Sequence, residues 1–210
     1  MMINLIGGRI VPAFTRNWLT KQHGTLTKNQ SPAAFGLVDY AATASLLLFF
    51  LATLANVSGS LVLVLSIVTA FLQAWRLLRW KGYLCLADPL VWMMHLSYTW
   101  IPIGVLLVGL GNAGHVSGSA GIHALTIGSV ASMIVSIASR AALGHTGRPL
   151  VAHPLLTSSI VLLTLSALSR VSASIVASDM LMASATAFWI GGFLCFAIRY
   201  VPVLLSPSEV

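Results

Sequence analysis

Long apolar stretches separated by short polar breaks dominate this chain, and their length decides what they are. A helix rises about 1.5 Å per residue, so about 20 apolar residues cross the hydrocarbon of a bilayer. Six stretches reach that length, at roughly 36–55, 60–78, 89–111, 121–143, 154–171 and 178–203. The breaks carry loop chemistry: Asn56-Val57-Ser58-Gly59, Lys81-Gly82 to Asp88-Pro89, Gly111-Asn112 through Gly121, and Gly144 to Pro154. Backbone polar groups in lipid must be satisfied internally, so six short-looped segments predict one all-α polytopic helical bundle. The fifth segment ends at Arg170 on this pattern. Ahead of the first, Gly7, Gly8, Arg9 and Pro12 interrupt the apolar run from Met1 to Phe14. That predicts an interfacial or re-entrant segment over residues 1–35, followed by the bundle over 36–204 and a short cytoplasmic tail over 205–210.

Composition narrows the class. Hydrophobic residues make up 58% of the 210 and charged residues 7%, with a mean hydropathy of +0.94. A soluble domain carries about a quarter of its residues as Asp, Glu, Lys and Arg, so most of this surface must face a lipid bilayer. The net charge of +7 does not point to nucleic acid, because the basic residues form no stripe interleaved with aromatics. It points to topology. Arg9, Arg16, Lys21, Lys28, Arg76, Arg79, Lys81, Arg140, Arg148 and Arg199 fall on one side of the six spans and Arg170 alone on the other, which predicts that both termini are cytoplasmic. Cys85 and Cys195 are too few for a disulfide framework and read as apolar fillers.

Polar groups at membrane depth are costly, so they are the functional candidates. Five of the six histidines lie between residues 95 and 153. His95 falls about 9 Å inside the third span, His123 near the outer end of the fourth, and His145 just past its inner end. The two levels are roughly 20 Å apart at helical rise, too far for one metal to bridge. Imidazole suits haem iron and copper, and it also serves as an interhelical hydrogen-bond partner. Both roles fit His95 and His123, whereas His23 and His153 read as interfacial. Tyr98 shares a helix face with His95 and either hydrogen-bonds a ligand there or packs among the aromatics Trp92 and Trp100. Small residues recur every fourth position at Ala120, Ala124, Gly128, Ser132 and Ser136, as close helix packing or a flat macrocycle requires. Arg140 and Arg148 suit either haem propionates or lipid phosphate. Asp39, in the first turn of the first span, reads as a charge favoured by the helix dipole. No Gly-x-Ser-x-Gly, Walker loop or His-Glu-x-x-His is present, and four acids in all leave little for general acid–base chemistry. No repeat of the kind transporters carry is visible.

Four stretches together resemble a known family: Gly7-Gly8-Arg9-Ile10-Val11-Pro12-Ala13-Phe14-Thr15, Met94-His95-Leu96-Ser97-Tyr98-Thr99-Trp100, His123-Ala124-Leu125-Thr126-Ile127-Gly128, and Leu143-Gly144-His145-Thr146-Gly147-Arg148-Pro149. Their order and spacing resemble the NnrS family, bacterial inner-membrane proteins associated with denitrification and the nitric-oxide response and described as containing haem and copper. The motifs cover most of residues 1–150 and fade across the last two spans. The resemblance implies haem b, with copper as a second metal, and implies His95, His123 and His145 as metal ligands. It implies Arg9, Arg140 and Arg148 as supporting motif residues, which with Tyr98, chosen for the helix face it shares with His95, make up the candidate cofactor-binding set. Its function would be nitric-oxide response, detoxification or associated electron transfer, the alternative being a non-catalytic accessory subunit of a larger redox complex. Family members usually carry a further block of spans ahead of the Gly-Gly-Arg segment, so the resemblance is to the C-terminal half. It implies a truncated relative, a subunit completed by a second membrane chain, or a protein that has lost one metal centre.

Overall fold

The computed structural model describes residues 1–207, and these contain helices and no strand. The predicted tail over 205–210 starts at the last residue of the final helix, and residues 208–210 lie outside the described part. The helices are α1 (Met2–His23), α2 (Leu37–Leu54), α3 (Gly59–Arg79), α4 (Pro89–Asn112), α5 (Gly118–His123), α6 (Ser132–His145), α7 (Pro154–Val176) and α8 (Asp179–Leu205). A π-helical stretch, Ala124–Ala131, joins α5 to α6 into one continuous rod, Gly118–His145. Six of these rods are long and apolar enough to cross a membrane, in the order the apolar stretches predict.

One boundary differs from expectation. α7 runs on past Arg170 to Val176, where Ala173 is still buried. A long arginine side chain reaches the interface from within a span, so one arginine does not stop the helix. α1 is continuous through Gly7, Gly8 and Pro12. The Pro12 ring lacks the N–H that would bond the Gly8 carbonyl, a loss of one hydrogen bond, while the two glycines let α1 lie close against the bundle.

α4 is the hub. In its apolar window 61% of residues are buried, against 11% for α8. The hairpin α2–α3 packs on one flank of α4 and the α5–α6 rod on the other, and the hairpin α7–α8 covers the far side of that rod. Exposed Leu, Ile, Val and Phe side chains on α2, α3 and α8, such as Leu48, Phe71 and Ile198, form the outward belt. Without a hydrophobic drive between helices in lipid, packing and small residues must hold them together. The small-residue stripe serves this purpose: a Cβ on Gly128 would strike the Trp100 ring of α4, and Ala124 packs with Trp100 and with Ala167 of α7.

Gly121 makes the closest backbone approach in this seam, facing the Val108 nitrogen and the Gly104 carbonyl oxygen. Gly121→Ala should therefore cost about 1–3 kcal/mol through overpacking, seen as a lower unfolding midpoint in detergent micelles. Gly144→Ala, which adds a methyl to open space, should leave the midpoint unchanged.

Candidate functional site

One face of α3 is polar at helical spacing: Ser66, Thr69, Gln73 and Arg76 are all at most 1% exposed. A charge in that position requires a counter-charge. Asp39, in the first turn of α2, supplies it: Arg76 Nε donates to Asp39 Oδ1 at 2.7 Å. The other Asp39 oxygen accepts the Gly36 backbone N–H at 2.9 Å, which caps α2, and lies 3.8 Å from Arg79. Arg76 NH1 donates onward to the Asn4 side-chain oxygen at 2.8 Å and to the Tyr98 hydroxyl at 3.0 Å. The Tyr98 proton reaches Gln73 Oε1 at 2.7 Å or Asn4 Oδ1 at 2.9 Å, and Gln73 donates to the Ala42 carbonyl. Four helices thus share one network around one guanidinium. The Trp80 ring stands 5.3 Å from that guanidinium and edge-on to Tyr98 at 4.6 Å.

α1 must come close for Asn4 to take part, and Gly8 permits it: a Cβ there would collide with the Arg76 guanidinium. The Gly-Gly pair therefore reads as a seat for Arg76. The sequence placed Asp39 as a dipole-favoured charge and Arg76 only on one side of the spans, so their pairing is a finding of the structure. The signal was available in the Ser66, Thr69, Gln73, Arg76 spacing, which marks one buried face of a membrane helix.

His95 lies one turn toward the loop end of α4 from Tyr98 and is 8% exposed. Its Nε2 is 2.8 Å from Thr15 Oγ1. The Thr15 hydroxyl donates to the Val11 carbonyl at 2.8 Å, so it accepts from His95, and the ring proton sits on Nε2. Nδ1 then carries the lone pair, and no donor reaches it among the described residues. The ring lies over Gly82, where a Cβ would overlap Nδ1. His95 and Gly82 border a cleft of about 380 Å³ whose wall is otherwise mainly apolar, including Leu77, Leu86, Trp92 and Leu96.

The other sequence-selected residues lie elsewhere. His123 ends α5, at the opposite end of the bundle from His95, and is half-buried. His145 ends α6 and is exposed. The three imidazoles do not converge, because the rod that carries two of them places one at each end. Among the described residues no group of three His, Cys, Asp or Glu is arranged to hold a metal. Arg140 lies over the Phe14 ring at 4.2 Å, and Arg148 donates to the Val203 carbonyl at 2.9 Å. Neither lines the His95 cleft, and nor does Arg9, whose guanidinium is 5.5 Å from the Phe35 ring. Tyr98 belongs to the Arg76 network. His153 caps α7, its Nδ1 accepting the Leu155 N–H at 3.2 Å.

Beside the α4 entrance, Cys85 is buried with Leu19 and Val91. Burial, helped by the nearby Asp88 charge, pushes its thiol up to about 11, so it is unreactive at neutral pH. Asp88 caps α4 by accepting the Leu90 N–H at 2.9 Å. Burial raises its pKa, while that N–H and the Arg140 and Lys21 charges act against the rise.

Fold and network define a polytopic α-helical membrane protein with a buried ion pair at the centre of a four-helix polar network and an oriented imidazole beside it. The chain belongs to the NnrS family, since the family profile described as NnrS protein matches residues 1–208. The match continues through α7 and α8, beyond the region where the motifs stand out. At family level this makes it a membrane protein of the nitric-oxide response. No curated protein and no solved structure matches the chain.

Two tests follow from these geometries. Asp39→Asn strands the Arg76 charge and should cost about 3–5 kcal/mol, measured by unfolding in detergent, whereas Asp39→Asn combined with Arg76→Gln should recover much of the loss. For Asp88, a raised folded-state pKa means that folding favours the protonated form. Its contribution is fully present below the unfolded carboxyl range and is lost as pH rises through the folded value. Asp88→Asn keeps a capping oxygen and should remove that part of the pH dependence in unfolding midpoints taken from acidic to neutral pH.

Proposed function

We propose that this NnrS-family protein is a haem b protein of the nitric-oxide response, in which His95 is the residue that would hold the iron. The observation that carries the reading is the state of that imidazole. One nitrogen is fixed by Thr15 while the other is unprotonated, without a partner, and borders an apolar cleft over a glycine. A ligating histidine ordinarily has its second nitrogen hydrogen-bonded in this way, which sets tautomer and ring orientation. Haem bound there would supply an iron able to bind nitric oxide or exchange an electron. The chain's own residues do the rest. Thr15 holds the proton on Nε2, Gly82 lets the ring lie close against the backbone, and Leu77, Leu86, Leu96 and Trp92 give the cleft a mainly apolar wall. Copper finds no matching donor group among the described residues, and it forms no part of this proposal.

The second reading is a non-catalytic accessory subunit. The His95–Thr15 bond favours it, because that contact is also what an imidazole acting as interhelical glue would make.

An absorbance spectrum of the purified protein, expressed with haem available, separates the two. A Soret band that is lost in His95→Ala and weakened in Gly82→Ala, with His123→Ala and His145→Ala unaffected, is the expected result. Absence of the band in the wild type, together with a stoichiometric co-purifying membrane partner, would favour the accessory reading.

A further inference from the structure

Two hollows lie side by side where α1, the loop over residues 24–36 and the start of α2 meet. The first, about 330 Å³, is lined by Arg9, Arg16, Phe35 and Tyr40 among others, and the second, about 370 Å³, by Lys28, Arg79 and Lys81. Ala33 and Ala34 form a wall common to both. Neither is lined by a carboxylate, and neither shares a lining residue with the His95 cleft.

Arg9, Arg16 and Lys81 are held in place without being neutralised. Arg9 rests on the Phe35 ring at 5.5 Å, and Arg16 donates one bond, at 3.1 Å, to the Pro32 carbonyl. Lys81 donates to the Lys28 and Asn29 carbonyls at 3.2 and 2.6 Å, which ties α3 to the loop and leaves a third ammonium hydrogen. The nearest acid, Asp39, is 3% exposed and committed to Arg76 at 2.7 Å, with Arg79 at 3.8 Å on its other oxygen. Five positive side chains therefore face two adjoining spaces with at most one, Arg79, partly compensated.

Their position in the membrane tells what anion they would meet. The loop ends where the first spanning helix begins, and Leu37 and Tyr40 just beyond it are 84% and 65% exposed. An anion in either hollow would sit at headgroup level, with apolar side chains directly below it. Basic pockets beside membrane helices suit phosphate headgroups, and arginine adds a fork that matches phosphate oxygens. We propose that the paired hollows bind one lipid with a two-phosphate headgroup of the cardiolipin type, one phosphate in each hollow and acyl chains against α2.

Native mass spectrometry of the detergent-solubilised protein tests this, with cardiolipin, phosphatidylglycerol and pyrophosphate as probes. Expected is one-to-one retention of cardiolipin, at least about tenfold above phosphatidylglycerol offered at equal total phosphate, a preference of about 1.4 kcal/mol. Arg9→Ala with Arg16→Ala, and separately Lys28→Ala with Lys81→Ala, should each reduce retention to the phosphatidylglycerol level, while Arg170→Ala at the other end should not. Unfolding midpoints identify any variant that fails to fold, and for such a variant the milder Arg16→Gln or Lys28→Gln is read instead. Equal retention of the two lipids, or retention unaffected by either pair, overturns the proposal. Displacement of cardiolipin by pyrophosphate would also overturn it, by assigning the hollows to a soluble phosphate.

Discussion

A guanidinium buried at membrane depth governs how this protein is put together. Arg76 is 1% exposed, so its charge has to be met from within the bundle. That demand brings Asp39 into the first turn of α2, sets Tyr98 and Gln73 facing one another, and draws the start of α1 inward until Asn4 can accept. The glycine at position 8 follows from the same requirement. In water such a pair would contribute little; here, losing one partner leaves a charge with no solvent to receive it.

His95 sits one turn away and shares the logic of the network without joining it. Its Thr15 partner lies on the same α1 helix that supplies Asn4, so the docking of α1 sets both the ion-pair environment and the orientation of the imidazole. The Trp80 ring links the two, edge-on to Tyr98 at 4.6 Å and to His95 at 6.2 Å. Arg9, on the same helix, is turned to the opposite side, toward the loop. One helix that does not rank among the spanning rods therefore organises three separate polar regions.

The spanning helices were legible because the cost of an unsatisfied backbone in lipid leaves few alternatives. Arg170 misled because an interfacial arginine and a terminal one look alike until the helix is seen to continue to Val176. Gly7, Gly8 and Pro12 marked a segment that is not a seventh span, and α1 does not rank among the spanning rods; that it is nevertheless one continuous helix was not legible, because tertiary contact supplies what local propensity withholds. The site was only half legible. His95 stood out as an imidazole within a span, but its partner Thr15 is 80 residues away and its neighbour Gly82 carries no side chain to signal a role. Helical rise already set His123 about 20 Å from the level of His95, and the structure keeps it at the opposite end of the bundle; that His145 is exposed at the end of α6 depends on tertiary packing the sequence does not display.

The π-helical stretch resolves an arithmetic difficulty in the fourth spanning rod, Gly118–His145. Small residues spaced every four positions from Ala120 to Ser136 advance about 400° per step on an α-helix, so the stripe would rotate by about 40° each time and by about 160° overall. Ser136 would then face nearly opposite Ala120. A turn closed i→i+5 holds more residues than an α turn, so the wider stretch over Ala124–Ala131 rotates the stripe back the other way. Gly128 still meets Trp100 and Ser136 still meets Ser97, both on α4. The widened turns act as a phase corrector, and the four-residue period of the seam is matched to a rod that is neither wholly α nor wholly π.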